Sequence, residues 1–148
     1  MLRGDTKTMI NKNELVKFKT LLPDSAKQLI DVIGYTATSK LINQFGGVSL
    51  TGISHGATER TGGVHRLLEE ILNDNEYKKL LQYIGQSVFY IPRCKSIFRQ
   101  IRNQQFLSEF TLLNKQGYSR RQAMALLCPK YGFSDRIGWK LLHDLNKD

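Results

Sequence analysis

Cysteine is scarce in this chain. Cys94 and Cys128 are its only two, too few and too far apart for a disulfide framework, and neither belongs to a CxxC pair. His55, His65 and His143 show no ligand spacing with them, so no zinc site and no cofactor is expected. Long hydrophobic runs are absent too: nothing approaches the ~18 apolar residues of a membrane span, and the N-terminus lacks a signal-peptide core. These absences predict a cytoplasmic protein with reduced thiols and no membrane partner. Residues 51–63 are rich in Gly, Ser and Thr but contain neither GxxxxGK[ST] nor a GxGxxG between strand and helix. They read as a flexible loop in which His55 and Arg60 are solvated. Glu69 and Glu70 form an acidic patch with Asp74 and Glu76, but no second carboxylate cluster faces them. An enzyme acting on nucleic acid, which would need a nucleophilic Ser or Tyr beside activating arginines or clustered carboxylates for metal ions, is therefore the disfavoured alternative.

What is present is positive charge, unevenly spread. The 148 residues carry a formal charge of +9 and 41% hydrophobic content, enough for one ordinary domain or two small ones. From Arg93 onward eleven Lys and Arg stand against Glu109, Asp135, Asp144 and Asp148, a net +7, whereas residues 1–92 carry a net +2. Basic residues concentrated on one module are the electrostatic footprint of phosphate contact.

The division at residue 93 also follows from local pattern. Residues 1–14 are polar and aperiodic and are expected to be a mobile arm. Ala26, Leu29, Ile30 and Ile33 space one buried helix face after Pro23-Asp24, Gly34 ends that helix, and a second one over residues 36–44 leads to a short strand at Val48–Leu50. A shift of thirty-nine residues lays this order on itself: Leu29 falls on Leu68, Lys40 on Lys79, Leu41 on Leu80, Gly46 on Gly85, and Val48–Leu50 on Ser87–Phe89. Residues 15–92 thus read as one domain built from a tandem helix-helix-strand repeat, 21–53 and 65–92, against the alternative of chance similarity between amphipathic helix pairs. The strands would pair with each other or with those of a second chain, since one short strand cannot stand alone. Pro92 makes an abrupt exit and a hinge.

Residues 93–148 read as three helices. The first, from about Ser96 to Lys115, places Ile97, Ile101, Phe106, Phe110 and Leu113 on one face. Ser119 and Ser134 then each stand before a run with helical apolar spacing, placed to cap it, and Gly132 between them is free to turn left-handed. This is the sequence form of a helix-turn-helix, whose second helix enters the DNA major groove. Phe106, Phe110, Leu126, Leu127, Trp139 and Leu142 are the expected core.

Leu22-Pro23-Asp24 leading to Ile33-Gly34, Phe45-Gly46-Gly47, Phe89-Tyr90-Ile91-Pro92-Arg93, and Tyr131-Gly132-Phe133-Ser134-Asp135-Arg136 before Trp139-Lys140-Leu141-Leu142 occur in that order. The series, from Leu21 onward, resembles the Mor transcription activators of Mu-like phages and prophages. The resemblance implies a mainly α fold with one or two short β-strands: an N-terminal helix-helix-strand dimerisation module, here duplicated on the repeat, and a C-terminal three-helix helix-turn-helix. It implies a homodimer in a bacterial host cell that binds a dyad-symmetric promoter site on double-stranded DNA, recruits host RNA polymerase and activates phage or prophage genes. The alternative is a repressor or antirepressor that uses the same helices without touching polymerase. This chain departs from the pattern at Cys128, where alanine is usual; at Pro129, which should end or tighten its helix early; at Gly138, where a β-branched core residue is usual; and in the extra stretch from Gly52 to Gly85.

Residue roles follow from the geometry of such a unit. The exposed start of the recognition helix offers Ser134, Asp135, Arg136 and, one turn on, Lys140 to base edges, with Arg136 the candidate for bidentate guanine contact. Asp135 either accepts from a cytosine amine or complements the helix N-terminus, the second being favoured. Ser119, Arg120, Arg121 and Lys130 are placed for phosphates, against the alternative of a solvated helix face. Arg93, Lys95, Arg99 and Arg102 follow the hinge and could track the backbone. Tyr90 is a candidate minor-groove contact, with a core or interface aromatic the favoured role.

Overall fold

The computed structural model describes residues 9–52 and 63–145. The helices are α1 (Lys12–Lys17), α2 (Asp24–Phe45), α3 (Val64–Ile71), α4 (Asp74–Ile84), α5 (Lys95–Lys115), α6 (Arg120–Tyr131) and α7 (Asp135–Leu145), with a 3-10 turn at Lys19–Leu21 and strands β1 (Ser49–Thr51) and β2 (Val88–Tyr90). Among the described residues the chain is mainly helical with one two-stranded antiparallel sheet, as its sequence pattern anticipates. Two compact units divide within α5, between Ile97 and Phe98.

In the first unit, structure begins earlier than the sequence pattern suggests. The arm expected through residue 14 is corrected from residue 9 on. Asn11 and Glu14 form a reciprocal capping box on α1, with the Glu14 amide donating to Asn11 Oδ1 at 2.9 Å. Buried Ile10 donates its N–H to Asn43 Oδ1 and accepts from Asn43 Nδ2 at 2.9 and 2.7 Å, which ties this segment to α2. The short apolar pair Met9-Ile10 among polar neighbours carries no periodicity, which is why the anchor escaped the pattern. Residues 1–8 of the expected arm, and the loop residues His55 and Arg60, lie outside the described residues.

The helix expected to end at Gly34 does break there, and then resumes at once. Gly34 has φ 87° and ψ 169°, a combination essentially reserved for glycine, with helix on both sides. Ala26, Leu29, Ile30 and Ile33 before it and Ala37, Leu41 and Ile42 after it are buried, and α2 packs against α1, α3 and α4. Between α3 and α4 the break falls at Asn73, whose side chain accepts from the Glu76 amide at 2.8 Å in a second capping box.

Each strand starts one residue later than expected, and the two pair within the chain: Ser49 opposite Tyr90, Leu50 opposite Phe89, Thr51 opposite Val88. Leu50 is buried and Phe89 half-buried on one face, while Ser49, Thr51, Val88 and Tyr90 are exposed on the other. Buried His65 ties β1 to this core. Its Nε2 lies 2.9 Å from the Thr51 carbonyl, which can only accept, so Nε2 donates there, and its Nδ1 lies 3.0 Å from the Tyr77 hydroxyl. The histidine is a satisfied core residue.

The second unit packs α5, α6 and α7 around Phe106, Phe110, Ala123, Met124, Leu127, Cys128 and Leu142. Aromatic edges meet there: Phe106 against Phe133 at 4.9 Å and against Tyr131 at 5.9 Å, and Phe110 against Trp139 at 6.4 Å. One expected core residue is displaced: Leu126 is 53% exposed, because Ala123, Met124, Leu127 and Cys128 already fill the inward face of α6.

Candidate nucleic-acid interface

The α6–α7 pair is held by its caps. Ser119 Oγ accepts from the Gln122 amide at 3.1 Å, and Gln122 Oε1 accepts from the Ser119 amide at 2.8 Å, so two otherwise orphaned donors are satisfied. At the far end Gly132 turns left-handed (φ 74°, ψ 29°), and the Gly132 and Phe133 amides both donate to the Cys128 carbonyl. Ser134 then starts α7, with its Oγ 3.4 Å from the Ile137 amide.

Two of the departures named above, at Pro129 and Gly138, take a definite structural form. Pro129 does not shorten α6, which continues to Tyr131. Its ring removes one bond, to the Ala125 carbonyl, in the last turn where ladder bonds are ending anyway, and Ala125 is exposed to water. Gly138 is a close-packing position. A Cβ there would lie 2.4 Å from Met124 Sδ and 3.2 Å from Cys128 Sγ, so the two sulfur side chains of α6 occupy the space that a larger residue on α7 would need.

The sequence-derived candidates fall into groups. Ser134, Asp135, Arg136 and Lys140 are all exposed on α7. Arg136 and Lys140 are one turn apart and lie about 200° around the helix from the buried pair Gly138 and Leu142. Asp135 lies in the first turn, where a carboxylate complements the helix N-terminus, and with Arg121, Met124, Ala125 and Trp139 it lines an open cleft of about 560 Å³. Ile137, 43% exposed in the same turn, joins the presented surface. Its apolar type hid it from a reading that looked for polar base readers.

Ser119, Arg120 and Arg121 are exposed at the start of α6, with the Arg120 guanidinium over the Trp139 ring at 5.6 Å. Lys130 has a partner within the protein: its Nζ donates to both Glu109 oxygens at 2.9 and 2.8 Å. The Tyr131 hydroxyl also donates to Glu109. Partial burial works against the Glu109 charge, but these bonds outweigh it and hold the carboxyl below its usual range. Burial, together with that negative neighbour, pushes the Tyr131 hydroxyl well up. Arg102 is likewise engaged, lying 5.0 Å over Phe133 and donating to Asn103, and burial followed by the nearby Arg99 lowers its pKa. Arg99 is exposed.

Tyr90, Arg93 and Lys95 belong to the other unit. Each is exposed: Tyr90 on the outer face of the ribbon, Arg93 with its side chain against Gly47. Between Arg93 and Lys95, Cys94 holds φ 54°, unusual for a residue other than glycine, and burial pushes its thiol up to about 11.

Among the described residues no group of three His, Cys, Asp or Glu could hold a metal ion, and no helix is long and apolar enough to cross a membrane. No protein-family model matches the chain, nor does any curated protein or solved structure.

Proposed function

We propose that this protein is a sequence-specific transcription regulator that binds double-stranded DNA, with α6 and α7 acting as a helix-turn-helix and α7 as the recognition helix. The observation that carries the reading is the two-faced character of α7. Gly138 and Leu142 face α6 and the core, while Arg136 and Lys140 are presented on the opposite side beside exposed Ser134 and Ile137. Capped helix ends, a left-handed glycine between them and the net +7 of the C-terminal third support it. The Mor-like landmarks favour activation of phage or prophage genes through contact with host RNA polymerase over repression.

Arg136 is the proposed base reader, and Arg120 and Arg121 are proposed phosphate contacts; Lys130 and Arg102 serve chiefly to hold the unit together. Arg136→Ala should weaken binding to a cognate site by roughly 1–3 kcal/mol and relax one base position, whereas Arg120→Ala should weaken cognate and random DNA alike. Equal effects of the two substitutions on both DNAs, read by fluorescence anisotropy, would remove Arg136 from base reading. A promoter reporter supplied with the protein separates activation from repression by the sign of its response.

A further inference from the structure

The first unit carries a symmetry that the sequence repeat only hinted at. Shifted by thirty-nine residues, the two halves of α2 fall on α3 and α4, β1 falls on β2, and the helix break at Gly34 falls on that at Asn73. The strand register has the same symmetry. Leu50 pairs with Phe89, its own counterpart, and the flanking pairs Ser49–Tyr90 and Thr51–Val88 exchange under the shift. So do the bonds beyond the strands: Ile91 N–H to the Val48 carbonyl at 2.9 Å matches Gly52 N–H to the Ser87 carbonyl at 3.4 Å. The helix ends match as well, with Gly46 N–H donating to Ile42 O and Gly85 N–H to Leu81 O. Buried positions correspond at Ala26 and His65, Leu29 and Leu68, Ile33 and Leu72, and Leu41 and Leu80.

An antiparallel pair centred on one self-matched residue pair is how two identical subunits join across a two-fold axis. Here both halves lie in one chain. The strand edge that a second copy would use in such a join is already taken by the other repeat. The halves have also diverged in ways that a homodimer, with one sequence on both sides, could not. His65 and Tyr77 bond to each other where the first repeat has Ala26 and Thr38, and the buried Thr38 hydroxyl has no hydrogen-bond partner among the described residues. The Asn43 anchor for Ile10 has Gln82 as its counterpart. The two strands also lead to different places: β1 is followed by the segment to α3, and β2 by Ile91-Pro92 and α5.

We infer that residues 9–97 are an internally fused pseudo-dimer, that the chain is consequently a monomer with a single recognition helix, and that its target is an asymmetric half-site bound by one copy. This replaces the homodimer and the dyad-symmetric site expected from family resemblance, and its DNA part rests on the reading under Proposed function.

Sedimentation equilibrium of the full chain, alone and with duplexes enriched from a random pool, tests it. The expected results are a free species at the 17.0 kDa chain mass, one chain per duplex, and an enriched motif without internal two-fold symmetry. A free dimer, or two chains on a palindromic motif, would overturn the inference. A monomer that enriches no motif would overturn the DNA reading and the half-site with it, while leaving the fused pseudo-dimer supported by the mass, so the two failures are told apart.

Discussion

Gly138 shows how one residue without a side chain sets the distance between two helices. Alanine there would recover about 1 kcal/mol of helix propensity, but its Cβ would meet Met124 Sδ at 2.4 Å. Met124 lines the open cleft and can give way into it. The two effects nearly cancel, so Gly138→Ala should stay within about 1 kcal/mol of wild type. Valine adds two methyl groups with Cys128 Sγ already 3.2 Å from the Cβ position, and Gly138→Val should cost about 2–3 kcal/mol by overpacking. Urea unfolding of the two variants distinguishes them; a well-tolerated valine would mean that α6 and α7 are not in close contact at this point. The absence of a side chain at Gly138 is therefore matched by the two sulfur side chains of Met124 and Cys128 that face it.

At the level of elements, the pattern of apolar residues made most helices legible, because their buried faces recur at helical spacing: Ala26, Leu29 and Ile33 in α2, and Ile97, Ile101, Phe106 and Phe110 in α5. Anchors that rest on one polar side chain left no such trace. The Asn43 clamp on Ile10, the Glu109 acceptor for Lys130 and the Phe133 ring under Arg102 each join residues more than twenty positions apart, and for that reason two cations read as phosphate contacts proved to be tied down. The same polar links carry measurable consequences. The bonds from Lys130 and Tyr131 depress the Glu109 pKa, so their contribution to stability is complete above the ordinary glutamate value of 4.5 and is lost as pH falls through the lower folded-state value. Glu109→Gln should therefore be less stable than wild type at pH 7, by up to about 1 kcal/mol for a pair this exposed, with the gap closing as the pH falls below the ordinary glutamate value. A gap independent of pH would show that the charge of Glu109 does not matter. Gly34 is a different kind of element-level feature. Nothing lies within 4 Å of where its Cβ would be, so only its backbone conformation excludes other residues. Gly34→Ala should cost about 1–3 kcal/mol, read as a lower urea midpoint at unchanged slope; an unchanged midpoint would mean that the break can move to a neighbouring residue without cost.

For the molecule as a whole, charge and symmetry make a joint prediction. The basic surplus lies beyond residue 92, and the pseudo-symmetric unit before it is nearly balanced. With Arg136 turned to a base, the tying of Lys130 by Glu109 and of Arg102 by Phe133 and Asn103 narrows the candidate cations for phosphates in the second unit to about four, Arg99, Arg120, Arg121 and Lys140. Each phosphate neutralised contributes about −0.9 to the slope of log affinity against log salt, so one bound chain should give a slope of about −3 to −5 and lose roughly a hundredfold in affinity between 50 and 200 mM salt. A homodimer with two recognition helices on one duplex would show about twice that slope. Anisotropy titrations over this salt range therefore count helix-turn-helix units on the DNA without reference to mass. A slope near −8 would contradict the single-copy complex, and a slope near zero would deny phosphate contact altogether. The intermediate value is expected because the fused repeat supplies a dimer's strand pairing while leaving the chain one basic unit to present to DNA.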